Sequence, residues 1–140
     1  MTPRWRRSLA AARAQLGRSV VALAPGADAA EPGDGVLRLG IKDTAAIGET
    51  LRRRLAAEPN LAWLTVDRAA PGGRAVDTGL TNPLTGRPMT GSTSGGPVNI
   101  LLGIIDLCVG TDGGGSALGP APASGLAGVT GSGLGLACPV

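Results

Sequence analysis

Two glycine-rich loops bracket one apolar run in residues 91–121, GSTSGGPVNILLGIIDLCVGTDGGGSALGPA, and this arrangement restricts the fold more than any other part of the chain. Pro97 suits a first helical turn, so residues 98–103 can follow as a short helix starting at the Gly95-Gly96 loop. Residues 104–109, IIDLCV, are β-branched enough to form a strand. Behind that strand stand Gly113, Gly114 and Gly115. Their backbone N–H groups can converge on one point beside the hydroxyl of Ser116, the arrangement that stabilises an oxyanion.

Upstream, residues 36–41 alternate in polarity and run into Lys42, which predicts a strand delivering one ammonium at its end. Residues 44–58 carry Ile47, Leu51 and Leu55 four apart, a helical stripe that leaves Arg52, Arg53 and Arg54 largely to water. Pro59-Asn60 stops that helix, and residues 61–66 read as the next strand. Strand, helix and strand in succession predict an α/β fold with a right-handed crossover. Strands 36–41, 61–66 and 104–109 are then expected in one mixed sheet flanked by helices. Residues 69–90 read mostly as loop. Residues 3–17 read as a solvated Ala/Leu/Arg helix and 27–35 as a polar link, so residues 1–35 form a basic helix and linker ahead of a domain at 36–140.

A chain of 140 residues is at most one domain by size, and with Gly 24, Pro 11, no Phe or Tyr and two Trp it has little bulky material for a dense core. The net charge is +3, but beyond Arg87 the only charged residues are Asp106 and Asp112, so residues 88–140 read as interior, covered on both faces. Cys108 and Cys138 imply no disulfide, no zinc spacing is present, and the absence of His removes the commonest metal ligand and any His-based triad. Acid–base chemistry is left to Lys, Asp, Glu or hydroxyls. No metal or cofactor is expected. Arg13 and Arg18 interrupt the apolar run a secretory signal needs, and nothing approaches the roughly 20 apolar residues of a membrane helix. The expected location is therefore cytoplasmic, without a membrane partner. No basic-aromatic array points to nucleic acid.

The central stretch resembles the amidase signature family, whose core runs as a GGSSGG-like loop, a short helix and strand, and then GTDxGGS. Thr93-Ser94-Gly95-Gly96 matches the first loop, Gly110-Thr111-Asp112 with Gly114-Gly115-Ser116 matches the second, and Pro120, Gly125 and Gly128 fall in step after it. Leu39-Gly40-Ile41-Lys42-Asp43 resembles the family's strand-borne Lys-Asp, and Thr81-Asn82-Pro83 through Arg87 its Asn-Pro approach to the first loop. The likeness spans residues 36–128, with gaps.

The resemblance implies hydrolysis of a small-molecule amide by a Ser–Ser–Lys relay, with Ser116 as nucleophile, Lys42 as base, and the N–H groups of Gly113, Gly114 and Gly115 lining the oxyanion hole. For the bridging hydroxyl, matching the loop letter by letter selects Thr93, whereas counting back from Gly103 selects Ser92. The second count is preferred, since a deletion inside the helix would rotate later side chains by about 100°. Leu118 stands where the family has Arg, the segment after Asp43 is short, and the family's C-terminal half has no counterpart. The corresponding expectation is a truncated amidase core, impaired in activity. Its alternatives are a non-catalytic remnant, or a subunit completed by a second chain. A phosphate-binding module is the rival of another class: residues 86–93 have P-loop spacing with Ser92 in place of the lysine, and residues 113–119 imitate a dinucleotide loop.

Overall fold

The computed structural model describes residues 1–130; Cys138 and the end of the 36–140 segment lie outside the described residues. The elements are α1 (Pro3–Ala14), β1 (Val20–Leu23), β2 (Leu37–Lys42), α2 (Glu49–Ala57), β3 (Leu61–Asp67), β4 (Val76–Thr81), β5 (Pro88–Thr90), α3 (Gly95–Leu101), β6 (Leu107–Val109) and α4 (Pro120–Ala123). Four strands form a mixed sheet in the order β1-β3-β2-β6, with β2 parallel to β3 and to β6 and β1 antiparallel to β3. The α/β expectation is met, and all three anticipated strands belong to this sheet.

Alternation along β2 sets the two layers. Leu39 and Ile41 pack with Ile47, Leu51 and Leu55 beneath α2. The alternate position, Gly40, turns to the other face, where a Cβ would strike the Asp67 carboxylate and Ile105, so only glycine lets that layer close. On that face Trp5, Leu9 and Ala12 of α1 pack against Leu64, Ile104 and Ile105, each worth about 1.5–3 kcal/mol for a large side chain. The Trp5 indole N–H donates to the Ala27 carbonyl at 3.0 Å.

Helix α1 thus differs from the solvated helix expected. Arg6, Arg7 and Arg13 are exposed, but Trp5, Ser8, Leu9 and Ala12 are buried, and β1 joins the sheet, so residue 35 marks no structural boundary. Helix α2 begins at Glu49 rather than at 44, because the intervening backbone bonds back to the sheet end: Asp43 N–H donates to the Asp67 carbonyl and Thr44 N–H to that of Lys42. Strand β6 starts late for a similar reason. Gly103 takes φ 74°, and the N–H groups of Ile104 and Ile105 then both return to the Asn99 carbonyl of α3. Within the stretch read as loop lies a hairpin, β4 antiparallel to β5, turned by Asn82, whose Oδ1 accepts from the N–H groups of Leu84 and Thr85. Residues 88–130 are less interior than expected, since Leu102, Leu118 and Val129 are exposed.

Asp106 ties the layers together from the α3–β6 connection. It accepts hydrogen bonds from Arg4 of α1 and from the backbone and guanidinium of Arg38 in β2, at 2.8–3.0 Å. The Arg38 hydrogen bonds hold its carboxyl down at about 2. A depressed carboxyl contributes stability that is present above its unfolded value and lost as pH falls through the folded one. Asp106→Ala is expected to cost about 2 kcal/mol at pH 7 and almost nothing at pH 2. Urea midpoints at the two pH values check this; equal losses at both would contradict it.

Candidate active site

Strands β2, β3 and β6 run parallel and end at one edge of the sheet, where Lys42, Asp67 and Val109 terminate them. Such edges are where open α/β sheets gather functional loops. Two loops meet here, one carrying Ser92 and the other Thr111 to Ser116.

Lys42 is 3 % exposed. Its Nζ donates to Ser92 Oγ at 2.6 Å and to Thr111 Oγ1 at 3.0 Å. Burial lowers the lysine pKa, and the Asp112 carboxylate opposes that shift only in part. A lysine poised in this way can act as a base once its proton is lost. The Gly91–Ser92 peptide is cis. Of the two candidates for the bridging hydroxyl, Ser92 is the one hydrogen-bonded to the lysine. Thr93 Oγ1 is buried without a hydrogen-bond partner and lies against Gly110.

The second glycine loop is ordered by Asp112. Its carboxylate accepts from the N–H groups of Gly115 at 2.8 Å, Ala117 at 3.2 Å and Leu118 at 2.8 Å, and these bonds, that of Leu118 foremost, hold its carboxyl below the ordinary range. Gly115, at φ 114°, is thereby occupied, so it differs from its expected place in an oxyanion hole. Gly113 and Gly114 are exposed, and among the described residues their N–H groups and that of Ser116 donate to no acceptor. The Ser116 carbonyl accepts from Thr93 N–H at 3.1 Å, which joins the two loops at their backbones. The Ser116 hydroxyl itself makes no hydrogen bond among the described residues. The structure thus brings Lys42 and Ser92 together, while among the described residues Ser116 is tied only through its carbonyl to the Thr93 N–H and its hydroxyl bonds to neither of them.

Three contributors were not singled out in the sequence. Thr111 and Asp112 stood in a recognised motif but carried no assigned task. Asp77 was hidden in the segment read as loop: it is 1 % exposed and pairs with Arg68 at 2.8 Å. Among the described residues no group of three His, Cys, Asp or Glu could hold a metal ion. No protein-family model, curated protein or solved structure matches this chain.

Proposed function

We propose that this chain is a serine hydrolase of the acyl-transfer class, in which Lys42 is the base, Ser92 relays the proton and Ser116 is the nucleophile. Within that class its motifs resemble the amidase signature family, which makes the substrate a small carboxylic amide. The observation that carries the reading is the buried 2.6 Å contact between Lys42 and Ser92. In the reaction, neutral Lys42 takes the Ser92 proton while Ser92 takes that of Ser116, and Ser116 Oγ bonds to the amide carbon. The N–H groups of Gly113, Gly114 and Ser116 are available to the resulting oxyanion. The C–N bond then breaks as the leaving nitrogen takes the proton back along the relay, and water hydrolyses the ester by the same path. This sequence requires the Ser116 hydroxyl to turn onto Ser92.

The same geometry disfavours the phosphate-binding rival. Residues 88–90 of the P-loop-like stretch are strand β5, and in the second glycine loop the Asp112 carboxylate takes the N–H groups of Gly115, Ala117 and Leu118 and sets a negative charge beside the remaining ones, which opposes a phosphate dianion. Among the described residues no helix is long and apolar enough to cross a membrane.

Hydrolysis of simple aliphatic, aryl and glutamine-type amides by the purified chain tests the reading. Turnover is expected to rise with pH along a limb set by Lys42, at a value below the ordinary lysine pKa of about 10.4, and to vanish in Ser116→Ala. Turnover that survives Ser116→Ala would remove the nucleophile assignment. No turnover on any of the amides would leave a non-catalytic remnant, or a subunit needing a second chain.

A further inference from the structure

The loop that carries Ser92 is fastened by its backbone to residues 68–75. Ala70 N–H donates to the Ser92 carbonyl at 2.8 Å, and Gly95 N–H donates to the Arg68 carbonyl at 2.9 Å. Gly91 and Gly95 admit this approach, because a Cβ at either would run into backbone of residues 68–74 or of Ser19. Gly91 N–H also donates to the Ala75 carbonyl at 2.7 Å, and Thr93 pairs with Ala69 in an isolated antiparallel bridge, so the backbone sets the register of the loop against residues 68–75. One side-chain cluster adds a charged tie to that register. Ser94 Oγ donates to Asp77 Oδ2 at 2.7 Å, Arg68 Nε donates to the same oxygen at 2.8 Å, and Arg68 Nη2 donates to Asp77 Oδ1 at 2.8 Å. Gly79 N–H adds a bond to Oδ1 at 3.1 Å.

Resting on the hydrolase reading above, we propose that the Arg68–Asp77–Ser94 cluster is a positioning clamp that holds the Ser92 hydroxyl on Lys42. Ser94 is two residues from Ser92, and the Ser94 N–H itself donates to the Ser92 carbonyl at 3.0 Å, so a shift of Ser94 is passed on to Ser92. Asp77 suits the task because it is ionised. Burial alone would raise its pKa, but hydrogen bonds from Arg68 and then Ser94 outweigh burial and hold it below the ordinary range. Charge-assisted, forked bonds of this kind fix direction as well as distance. None of the three side chains contacts Lys42 or Ser92 by a side-chain hydrogen bond, so the cluster acts through the loop and not on the substrate.

The chain has a single lysine, Lys42, so lysine labelled with 13C at Cε reports on this one site by NMR, with or without turnover. In Ser94→Ala and Asp77→Asn the loop is expected to loosen and admit water. The Lys42 titration should then move up toward the ordinary value of about 10.4, whereas Ser94→Thr, which keeps the hydroxyl, should leave it in place. With an amide substrate, Ser94→Ala should lose up to about 100-fold in kcat with KM little changed, since misplacement by about 1 Å is enough for such a loss. Ser94→Ala removes only one hydroxyl and guards against unfolding of the Asp77 variant, and circular dichroism verifies both folds. An unchanged Lys42 titration in folded Ser94→Ala would overturn the clamp. A wild-type chain that turns over no amide would overturn the hydrolase reading instead, and the Lys42 titration would still decide whether the clamp exists.

Discussion

Lys42→Met is expected to lower kcat on an amide substrate by about 1,000-fold while leaving the chain at least as stable as before. General acid–base groups contribute about 100- to 10,000-fold, and Lys42 is the group the relay drains into. Methionine keeps most of the stem volume among the buried neighbours of β2 and removes an ammonium whose burial is unfavourable, the same burial that lowers its pKa. The Ser92 and Thr111 hydroxyls lose their shared partner, which offsets part of that gain. Steady-state kinetics paired with a thermal melt check the result. The pairing matters because a fall in rate with a matching fall in melting temperature would describe a damaged fold, not a missing base. If Lys42→Met retained wild-type turnover, the proton path would have to run elsewhere.

Much of the architecture was legible because two periods were clean. Leu39 and Ile41 alternate with Gly40 in β2, and Ile47, Leu51 and Leu55 recur four apart, so the sequence itself displays a strand and a helical stripe. The start of α2 was not, because the backbone of Asp43 and Thr44 bonds to the sheet end, a tertiary effect without local signature. The β4–β5 hairpin was unreadable for another reason. Gly79, Pro83 and Gly86 look like loop punctuation, and only the Asn82 turn and the pairing of Arg68 with the buried Asp77 make a hairpin of them. Strand β1, a short VVAL run, has too few residues to show a period and gains its strand state by pairing with β3. In the site, the family resemblance pointed to Lys42, to Ser116 and to Ser92 or Thr93. Which of the two adjacent hydroxyls would reach the lysine depended on the path of one loop, and spacing could only weigh that choice. The occupation of Gly115 N–H by Asp112 lay beyond the sequence altogether, since it depends on a turn closing over three residues.

Asp67→Asn is expected to stabilise the chain at pH 8 by a few kcal/mol and to do nothing at pH 4. Asp67 is 1 % exposed at the end of β3, wedged between Gly40 and Gly96. Its Oδ1 accepts from Thr65 Oγ1 at 2.6 Å and from Asn99 Nδ2 at 2.9 Å, while Oδ2 has no partner. Burial pushes its carboxyl up to about 7, against the pull of those two hydrogen bonds. The native state therefore holds a proton between about pH 4 and 7 that the unfolded chain has released. Folding stability must fall as pH rises through that window and level off above it, the opposite sense to Asp106. At about 1.4 kcal/mol for each pH unit, the loss approaches about 4 kcal/mol by pH 8, a large share of the 5–15 kcal/mol typical of a domain. The asparagine variant keeps an oxygen for Thr65 and Asn99 and carries no charge to bury. Urea midpoints measured from pH 4 to 8 should show wild type weakening across the window while the variant stays level. Parallel curves for the two would mean that Asp67 folds in its ionised form, with a cation or water reaching the orphaned Oδ2.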